Sequence, residues 1–189
     1  MKQVLLIRHG ATAGNLERRY IGRTDEPLCE EGIRQITALR QKQLKAERIF
    51  VSPMLRARQT AEILFPHQNH TVVEDLRETD FGIFEGKTAA ELSGNPAYQQ
   101  WVDGWCIGPV PEGESKADLS ERCCAAFCKT IAQVKDGECA AFVVHGGVIM
   151  ALLERFGPEE SDFYQYHVKN SGYVRCEWEK GRLHVLEKG

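Results

Sequence analysis

The sequence predicts an α/β domain, because short apolar runs alternate along the chain with apolar residues at helical spacing. The first run, Val4 to Ile7, is bounded by a glycine and predicts a buried strand. Two closing runs, 172–178 and 182–186, flank a Glu-Lys-Gly turn and predict a β-hairpin. With 189 residues, 42% of them hydrophobic, the chain can bury a full core, and we expect one domain over residues 1–189.

The remaining elements follow from the same two patterns. Strands are predicted at 3–8, 48–52, 71–74 and 139–144, and helices at 30–44, 53–64, 115–134 and 147–156. The helix at 115–134 has the clearest signature, since Ser115 and Asp118 have the spacing of a capping box. Residues 81–113 combine Gly, Pro and aromatic side chains with weak periodicity. They predict a long insertion with short helices that covers the strand ends as a lid.

The composition argues against several classes of function. The net charge of -3 is spread along the chain without a basic block, which disfavours binding to nucleic acid or to an anionic membrane. No run approaches the roughly 18 apolar residues of a membrane span, and the N-terminal residues lack the order of a signal peptide. We therefore expect a cytoplasmic protein. Seven cysteines without a C-x-x-C pair predict reduced, buried thiols rather than a metal site.

Four separated segments each place a phosphate-binding or proton-handling group at or just beyond the end of a predicted strand. They are residues 8–15 (RHGATAGN), 52–61 (SPMLRARQTA), 76–82 (LRETDFG) and 143–147 (VVHGG). Open α/β sheets bind their ligands at the carboxyl ends of the strands. The pair Arg8 and His9 suits a doubly charged phosphate, because arginine offers a planar fork of donors and histidine can act as a nucleophile.

These four segments, in this order, resemble the histidine phosphatase superfamily, also called the phosphoglycerate-mutase-like family. The resemblance runs from Val4 to about Leu153. It implies a three-layer sandwich in which a mostly parallel central sheet is flanked by helices. It also implies a small phosphate ester as the bound molecule, with neither a cofactor nor a metal.

The resemblance assigns a role to each matching residue. His9 corresponds to the nucleophile that is phosphorylated during turnover, and Glu78 to the proton donor for the leaving group. The phosphate pocket is lined by Arg8, Arg56 and His145. A second set matches positions that touch the phosphate or the rest of the ester: Thr12, Asn15, Gly22 and Gly146.

The chemistry sets conditions on these groups. His9 must be neutral at its reacting nitrogen, and we expect the other nitrogen to be held by a backbone carbonyl. We expect a cationic His145, and free N–H groups of the helix after Gly147 that face the same anion. Asp80 and Glu85 lie close to Glu78 and remain alternatives to it as the proton donor. Cys29 replaces a threonine of the family pattern, which weakens a helix cap.

Residues 101–105, 109–115 and Arg122 further resemble the α-ribazole phosphatases. That resemblance implies hydrolysis of α-ribazole 5′-phosphate, with the aromatic lid stacked on the benzimidazole. A broad-specificity sugar-phosphate phosphatase and a cofactor-dependent phosphoglycerate mutase remain alternatives, although we expect mutases to resemble the chain less because their insertion is longer. A non-catalytic phosphate-binding domain is disfavoured, since His9 and Glu78 are both present. Whether the chain forms a homodimer is left open.

Overall fold

A six-stranded sheet lies at the centre of the residues that the computed structural model describes, 1–158 and 163–189. Its strands are β1 (Lys2–Arg8), β2 (Arg48–Val51), β3 (His70–Val72), β4 (Cys139–Val144), β5 (Tyr173–Glu179) and β6 (Arg182–Lys188). They lie in the order β3-β2-β4-β1-β5-β6. The first four in that order are parallel, whereas β5 and β6 are antiparallel to their neighbours. The prediction of a mostly parallel sheet is confirmed.

Helices cover both faces of this sheet. The described residues form α1 (Ala13–Leu16), α2 (Glu30–Arg40), α3 (Leu55–Leu64), α4 (Ala89–Leu92), α5 (Pro96–Asp103), α6 (Lys116–Ile131) and α7 (Gly146–Phe156). Alternate residues of β1 face opposite layers, as the two-residue period of a strand requires. Leu5 and Ile7 pack with α2 and α3, whereas Val4 and Leu6 pack with α6 and α7. The predicted three-layer α/β fold is therefore confirmed.

The ends of several elements differ from the prediction. The helix predicted at 30–44 ends at Arg40, because Gln43 adopts a left-handed backbone with φ of 52°. Leu44 nevertheless packs against the core from the following loop. The strand predicted at 71–74 is His70–Val72, and a 3₁₀ turn follows it at Glu74–Leu76.

The capping residues behave as the sequence analysis expects. Ser115 precedes α6, accepts a hydrogen bond from Asp118 N and completes the capping box. Cys29 precedes α2 and makes no side-chain cap bond. None of the helices in the described ranges has the length and apolar composition that crossing a bilayer requires.

Residues 81–113 build a small core of their own. They contain a 3₁₀ turn at Gly82–Phe84 and the short helices α4 and α5. Four buried side chains form this core: Phe84, Leu92, Tyr98 and Val110. The short helices match the prediction, whereas the action of this segment as a lid stays a prediction.

The packing of Phe142 gives a test of the core. Its ring is fully buried in β4, with its centroid 5.0 Å from that of Phe50 and 4.9 Å from that of Phe127. Phe142→Ala removes contacts on both sides and leaves a cavity, so we expect the free energy of unfolding to fall by about 3–5 kcal/mol in urea denaturation. Leu186→Ala, in the exposed part of β6, is the control and should change it by less than about 0.5 kcal/mol. A loss no larger than that of the control would contradict this packing.

Candidate active site

Two histidines meet at the carboxyl ends of neighbouring parallel strands. Arg8, the last residue of β1, pairs in register with Val144, the last residue of β4. His9 and His145 follow directly, and their ring centroids lie 5.0 Å apart. Both are buried, with 3% and 0% of their surface exposed. The topology thus joins two segments that are far apart in the sequence.

His9 is held as a neutral ring with one nitrogen free. Its Nδ1 lies 2.7 Å from the carbonyl oxygen of Gly10. Because a carbonyl can only accept, Nδ1 carries the hydrogen and Nε2 keeps its lone pair. Burial lowers the pKa of His9 well below its usual range, and the charges of Arg56 and Arg8 lower it further, although the bond to Gly10 opposes them. A nucleophilic nitrogen requires this protonation state.

His145, the N-cap residue of α7, has one nitrogen bonded and one without a partner. Its Nε2 lies 2.7 Å from Ser52 Oγ, whereas the buried Nδ1 has no hydrogen-bond partner among the described residues. Burial lowers its pKa well below the usual range, with further contributions from Arg56 and His9. The expected cationic His145 is therefore corrected: full burial beside a guanidinium favours the neutral ring.

Ser52 is a site residue to which the sequence analysis gives no role. It follows β2 and is fully buried. Its Oγ accepts a hydrogen bond from Met54 N at 3.4 Å, so its own hydrogen can be donated to His145 Nε2. That arrangement leaves Nδ1–H of His145 as a donor. The strand-end rule that selects His9 applies equally to Ser52.

Two guanidiniums complete the positive side of the site. Arg56 is 1% exposed and donates from Nη1 to Thr24 O at 2.8 Å and from Nη2 to Gly22 O at 2.9 Å. Arg8 donates from Nη1 to Val168 O at 2.7 Å, and its buried Nε has no partner among the described residues. Burial lowers the pKa of both arginines, but a guanidinium remains charged at any physiological pH.

Glu78 lies at the N-terminal end of α7. Its Oε2 accepts a hydrogen bond from Gly147 N at 3.1 Å, and its Oε1 accepts one from Thr79 N at 3.0 Å. The N–H of Gly147 is thus bonded to Glu78, and the expectation that free N–H groups of this helix face the phosphate stays a prediction. Of the alternatives, Glu85 accepts from the backbone of Gly22 at 2.8 Å.

The predicted residues Thr12 and Asn15 are bonded to each other. Thr12 is the N-cap of α1 and accepts from Asn15 N at 3.2 Å, while its own N–H donates to Asn15 Oδ1 at 3.3 Å. Asn170, which the sequence analysis does not identify, donates to Asn15 Oδ1 at 3.0 Å and to the His9 carbonyl at 3.3 Å. No local sequence signal marks Asn170, because it lies in a loop that follows the described 3₁₀ turn at Phe163–Tyr166.

The two predicted glycines lie beside the arginines. Gly22 supplies the carbonyl that Arg56 binds, and a Cβ at Gly22 would lie 1.7 Å from Thr79 O. A Cβ at Gly146 would lie 3.3 Å from Arg8 Cζ. Both positions therefore require close backbone approach. Contact between a substrate and any of these four secondary residues stays a prediction.

A cavity of about 310 Å³ opens next to Arg8 and Glu78. Its lining is mainly apolar and includes five aromatic side chains: Tyr20, Phe81, Trp101, Phe163 and Tyr164. Leu119 and Met150 add further apolar surface. The charged site at the strand ends therefore continues into a largely apolar compartment.

Two cations in or beside this cavity are paired with carboxylates. Lys116 Nζ lies 2.7 Å from Glu154 Oε1, and Arg122 Nη2 lies 2.7 Å from Glu114 Oε2. Among the described residues there is no group of three or more His, Cys, Asp or Glu that could hold a metal ion. Three buried donors have no partner among the described residues: Arg8 Nε and His145 Nδ1 lie on the histidine side, which can bind an anion, and Trp101 Nε1 belongs to a ring of the cavity lining.

A family model matches almost the whole chain: residues 4–189 match the histidine phosphatase superfamily (branch 1). A protein of Klebsiella pneumoniae (strain 342) named probable phosphoglycerate mutase GpmB is 38% identical over 159 residues, 81% of this chain and 74% of that protein. The expectation that mutases resemble the chain less than α-ribazole phosphatases do is not met in sequence, because this relative carries a mutase name.

Two solved structures share the fold. The α-ribazole phosphatase from Shigella flexneri has a TM-score of 0.87 at 22% identity, covering 97% of this chain and 94% of that one. A mutant phosphoserine phosphatase from Entamoeba histolytica, in complex with phosphoserine, has a TM-score of 0.86 at 26% identity, covering 100% and 96%. These three similar proteins are thus named after three different substrates.

The buried histidines predict how stability depends on pH. In the unfolded chain an imidazole binds a proton at about pH 6.5. Because the pKa values of His9 and His145 are lower in the folded chain, the unfolded chain binds more protons below pH 6.5, and acid favours unfolding. We expect the free energy of unfolding to fall between about pH 6.5 and about pH 5, and to fall less steeply for His145→Gln.

Urea denaturation across this pH range provides the measurement. His184→Gln, at an exposed position in β6, is the matched control and should keep the wild-type slope. An unchanged slope in His145→Gln would mean that this ring is not held neutral by burial.

Proposed function

The chain belongs to the histidine phosphatase superfamily, and from this we propose that it is a phosphomonoesterase whose His9 accepts the phosphoryl group of a small ester. The superfamily supports either hydrolysis or transfer of the phosphoryl group to a second substrate. The assignment of roles to individual residues belongs to the proposal. So does the view that residues 81–113 act as a lid.

One observation carries the proposal. Next to a neutral His9 lie two buried donors, Arg8 Nε and His145 Nδ1, that have no partner in the described structure. A buried donor without a partner costs about 1–3 kcal/mol. A phosphate dianion offers acceptors to both donors and to the guanidinium charges, so its binding would recover that cost.

The chemistry then proceeds in two balanced steps. The lone pair of His9 Nε2 attacks phosphorus, the bond from phosphorus to the ester oxygen breaks, and Glu78 gives a proton to the departing alkoxide. In the second step Glu78 takes a proton from water, and the water oxygen attacks the phosphohistidine. The phosphorus–nitrogen bond breaks, inorganic phosphate leaves and His9 is neutral again. The fixed charges of Arg8 and Arg56 stabilise the equatorial oxygens in both steps.

The cavity supports an ester with an aromatic, uncharged leaving group. Its five rings offer surfaces for stacking, and Lys116, the lysine of its lining, is already paired with Glu154. A benzimidazole nucleoside has these properties, so we propose α-ribazole 5′-phosphate as the substrate. A sugar phosphate would use the phosphate site but leave most of the aromatic surface unused.

Phosphoglycerate mutase is the second candidate, because the Klebsiella relative carries that name. A phosphoglycerate brings a carboxylate, and its binding would require a cation in the cavity. Lys116 is engaged by Glu154, and Arg8, the guanidinium of the lining, is assigned to the phosphate in this proposal. The pairing of Lys116 therefore favours hydrolysis of an uncharged ester over the mutase reaction.

Trapping of the intermediate tests the reaction. We expect incubation with p-nitrophenyl phosphate to leave a protein-bound phosphoryl group that is labile in acid and stable in alkali, as phosphohistidine is. His9→Ala should lack this group and lose at least about 10³-fold in kcat, because it lacks the nucleophile. His184→Ala, at an exposed histidine, should behave like the wild type.

Two outcomes would count against this mechanism. One is a bound phosphoryl group that persists in His9→Ala. The other is strong inhibition by a chelator, which would indicate a metallophosphatase.

A substrate panel tests the leaving group. We expect kcat/KM for α-ribazole 5′-phosphate to exceed the value for 3-phosphoglycerate by roughly tenfold or more, the discrimination that an apolar pocket provides. Release of inorganic phosphate is the measurement, with glucose 6-phosphate as the sugar-phosphate comparison. Conversion of 3- to 2-phosphoglycerate with a bisphosphate primer, faster than phosphate release from any ester, would instead favour the mutase.

A further inference from the structure

We infer that Arg122, paired with Glu114, is the positioning residue that holds Glu78 in place as the proton donor. This inference rests on the proposed function, since it assumes that Glu78 protonates the leaving group. The two side chains of this pair bind the loop that carries Glu78. Arg122 binds the residues before Glu78, and Glu114 binds Asp80 after it.

Arg122 binds the loop on the N-terminal side of Glu78. Its Nη1 donates to Asp75 O at 2.8 Å and to Arg77 O at 3.1 Å. Its Nη2 lies 3.4 Å from the carbonyl oxygen of Glu78 itself. One guanidinium from α6 thus contacts three carbonyls of a loop that is distant in the sequence.

Glu114 binds the loop on the C-terminal side. Its Oε2 accepts a hydrogen bond from Asp80 N at 3.0 Å, and its own N–H donates to Asp80 O at 2.9 Å. Burial alone would raise the pKa of Glu114, but the hydrogen bonds from Arg122 and from Asp80 N outweigh burial and hold the pKa below its usual range. Glu114 therefore remains a carboxylate.

A bidentate ion pair joins Arg122 to Glu114. Arg122 Nε donates to Glu114 Oε1 at 2.8 Å, and Nη2 donates to Oε2 at 2.7 Å. The two side chains are only 11% and 17% exposed, so solvent competes little with this pair. The planar guanidinium can serve both the carboxylate and the carbonyls at once, and a lysine ammonium lacks that geometry.

The position of Arg122 indicates that it holds the loop of Glu78 and does not bind the ester. Glu78 and Glu114 line the cavity, whereas Arg122 is not among the described residues that line it. The carboxylate of Glu78 is directed at Gly147 N, away from the carbonyl that Arg122 contacts. Loss of Arg122 should therefore displace the loop without removing a contact to the ester, and displacement by about 1 Å costs roughly 10²-fold in rate.

Two esters that differ in their need for a proton provide the test. Nitrophenolate leaves as a stable anion without a proton, whereas the alkoxide of 2-phenylethyl phosphate requires one, and both carry a ring for the cavity. The measurement is the rate of His9 phosphorylation in a single turnover, so that the later hydrolysis step does not contribute. We expect Arg122→Lys to slow phosphorylation by 2-phenylethyl phosphate roughly 10²-fold and to leave that by p-nitrophenyl phosphate nearly unchanged.

Arg77→Lys is the matched control. Arg77 lies in the same loop, is 43% exposed and comes no closer than 4.0 Å to Glu114 in their ion pair, so its replacement should change neither rate. Arg122→Gln is a second variant in case Arg122→Lys does not fold. It changes the same side chain, which does not line the cavity, loses the charged fork to Glu114 and should show the same selective loss.

Equal slowing with both esters, or no slowing with either, overturns the positioning role. Failure of the proposed function gives a different result, since the wild type would then form no phosphohistidine with either ester. A folded Arg122→Lys that forms it rapidly from p-nitrophenyl phosphate alone supports the inference.

Discussion

Two imidazoles and the Arg56 guanidinium are buried beside the partly buried Arg8, and the rest of the site depends on how their charges are balanced. The bonded partners of Arg8 and Arg56 are mainly backbone carbonyls, which supply only partial negative charge. The guanidiniums stay charged because they do not deprotonate in proteins. Burial and the adjacent cations instead lower the pKa of His9 and of His145, so both imidazoles are neutral. The same arrangement thus provides a nucleophile and an excess of positive charge, and a phosphate ester needs both.

The sheet order brings these groups together. β2, β4 and β1 are consecutive parallel neighbours, and each is followed at its carboxyl end by a polar residue of the site: Ser52, His145 and His9. The three polar residues therefore lie together at the carboxyl ends of neighbouring strands of the sheet. The proposed proton donor is different, because Glu78 comes from a loop beyond the edge strand β3, and its hydrogen bonds link that loop to α7 and, through Arg122, to α6.

The sequence predicted what is local and missed what depends on packing. Each strand-end motif is contained in a short segment, so Arg8, His9 and His145 were identified from their own surroundings. The bond between Ser52 and His145 joins residues of different strands, and nothing near Ser52 in the sequence indicates it. The charge of His145 was predicted wrongly, because its burial is a property of the whole fold. Helix α2 ends earlier than predicted because Gln43 has a left-handed backbone conformation. The sequence does not indicate this conformation, since the residue is not a glycine.

The charged pocket and the aromatic cavity are built from different parts of the fold. The proposed phosphate site lies at the carboxyl ends of the central strands, where strand pairing places His9 beside His145. Four of the five aromatic residues that line the cavity come from residues 81–113 and from the 3₁₀ turn at Phe163–Tyr166, which lie outside the sheet. We therefore propose that the residues around Trp101 select the leaving group, whereas the residues at the strand ends carry out the reaction, so that substitutions in the cavity can change the substrate without disturbing His9 or its guanidiniums.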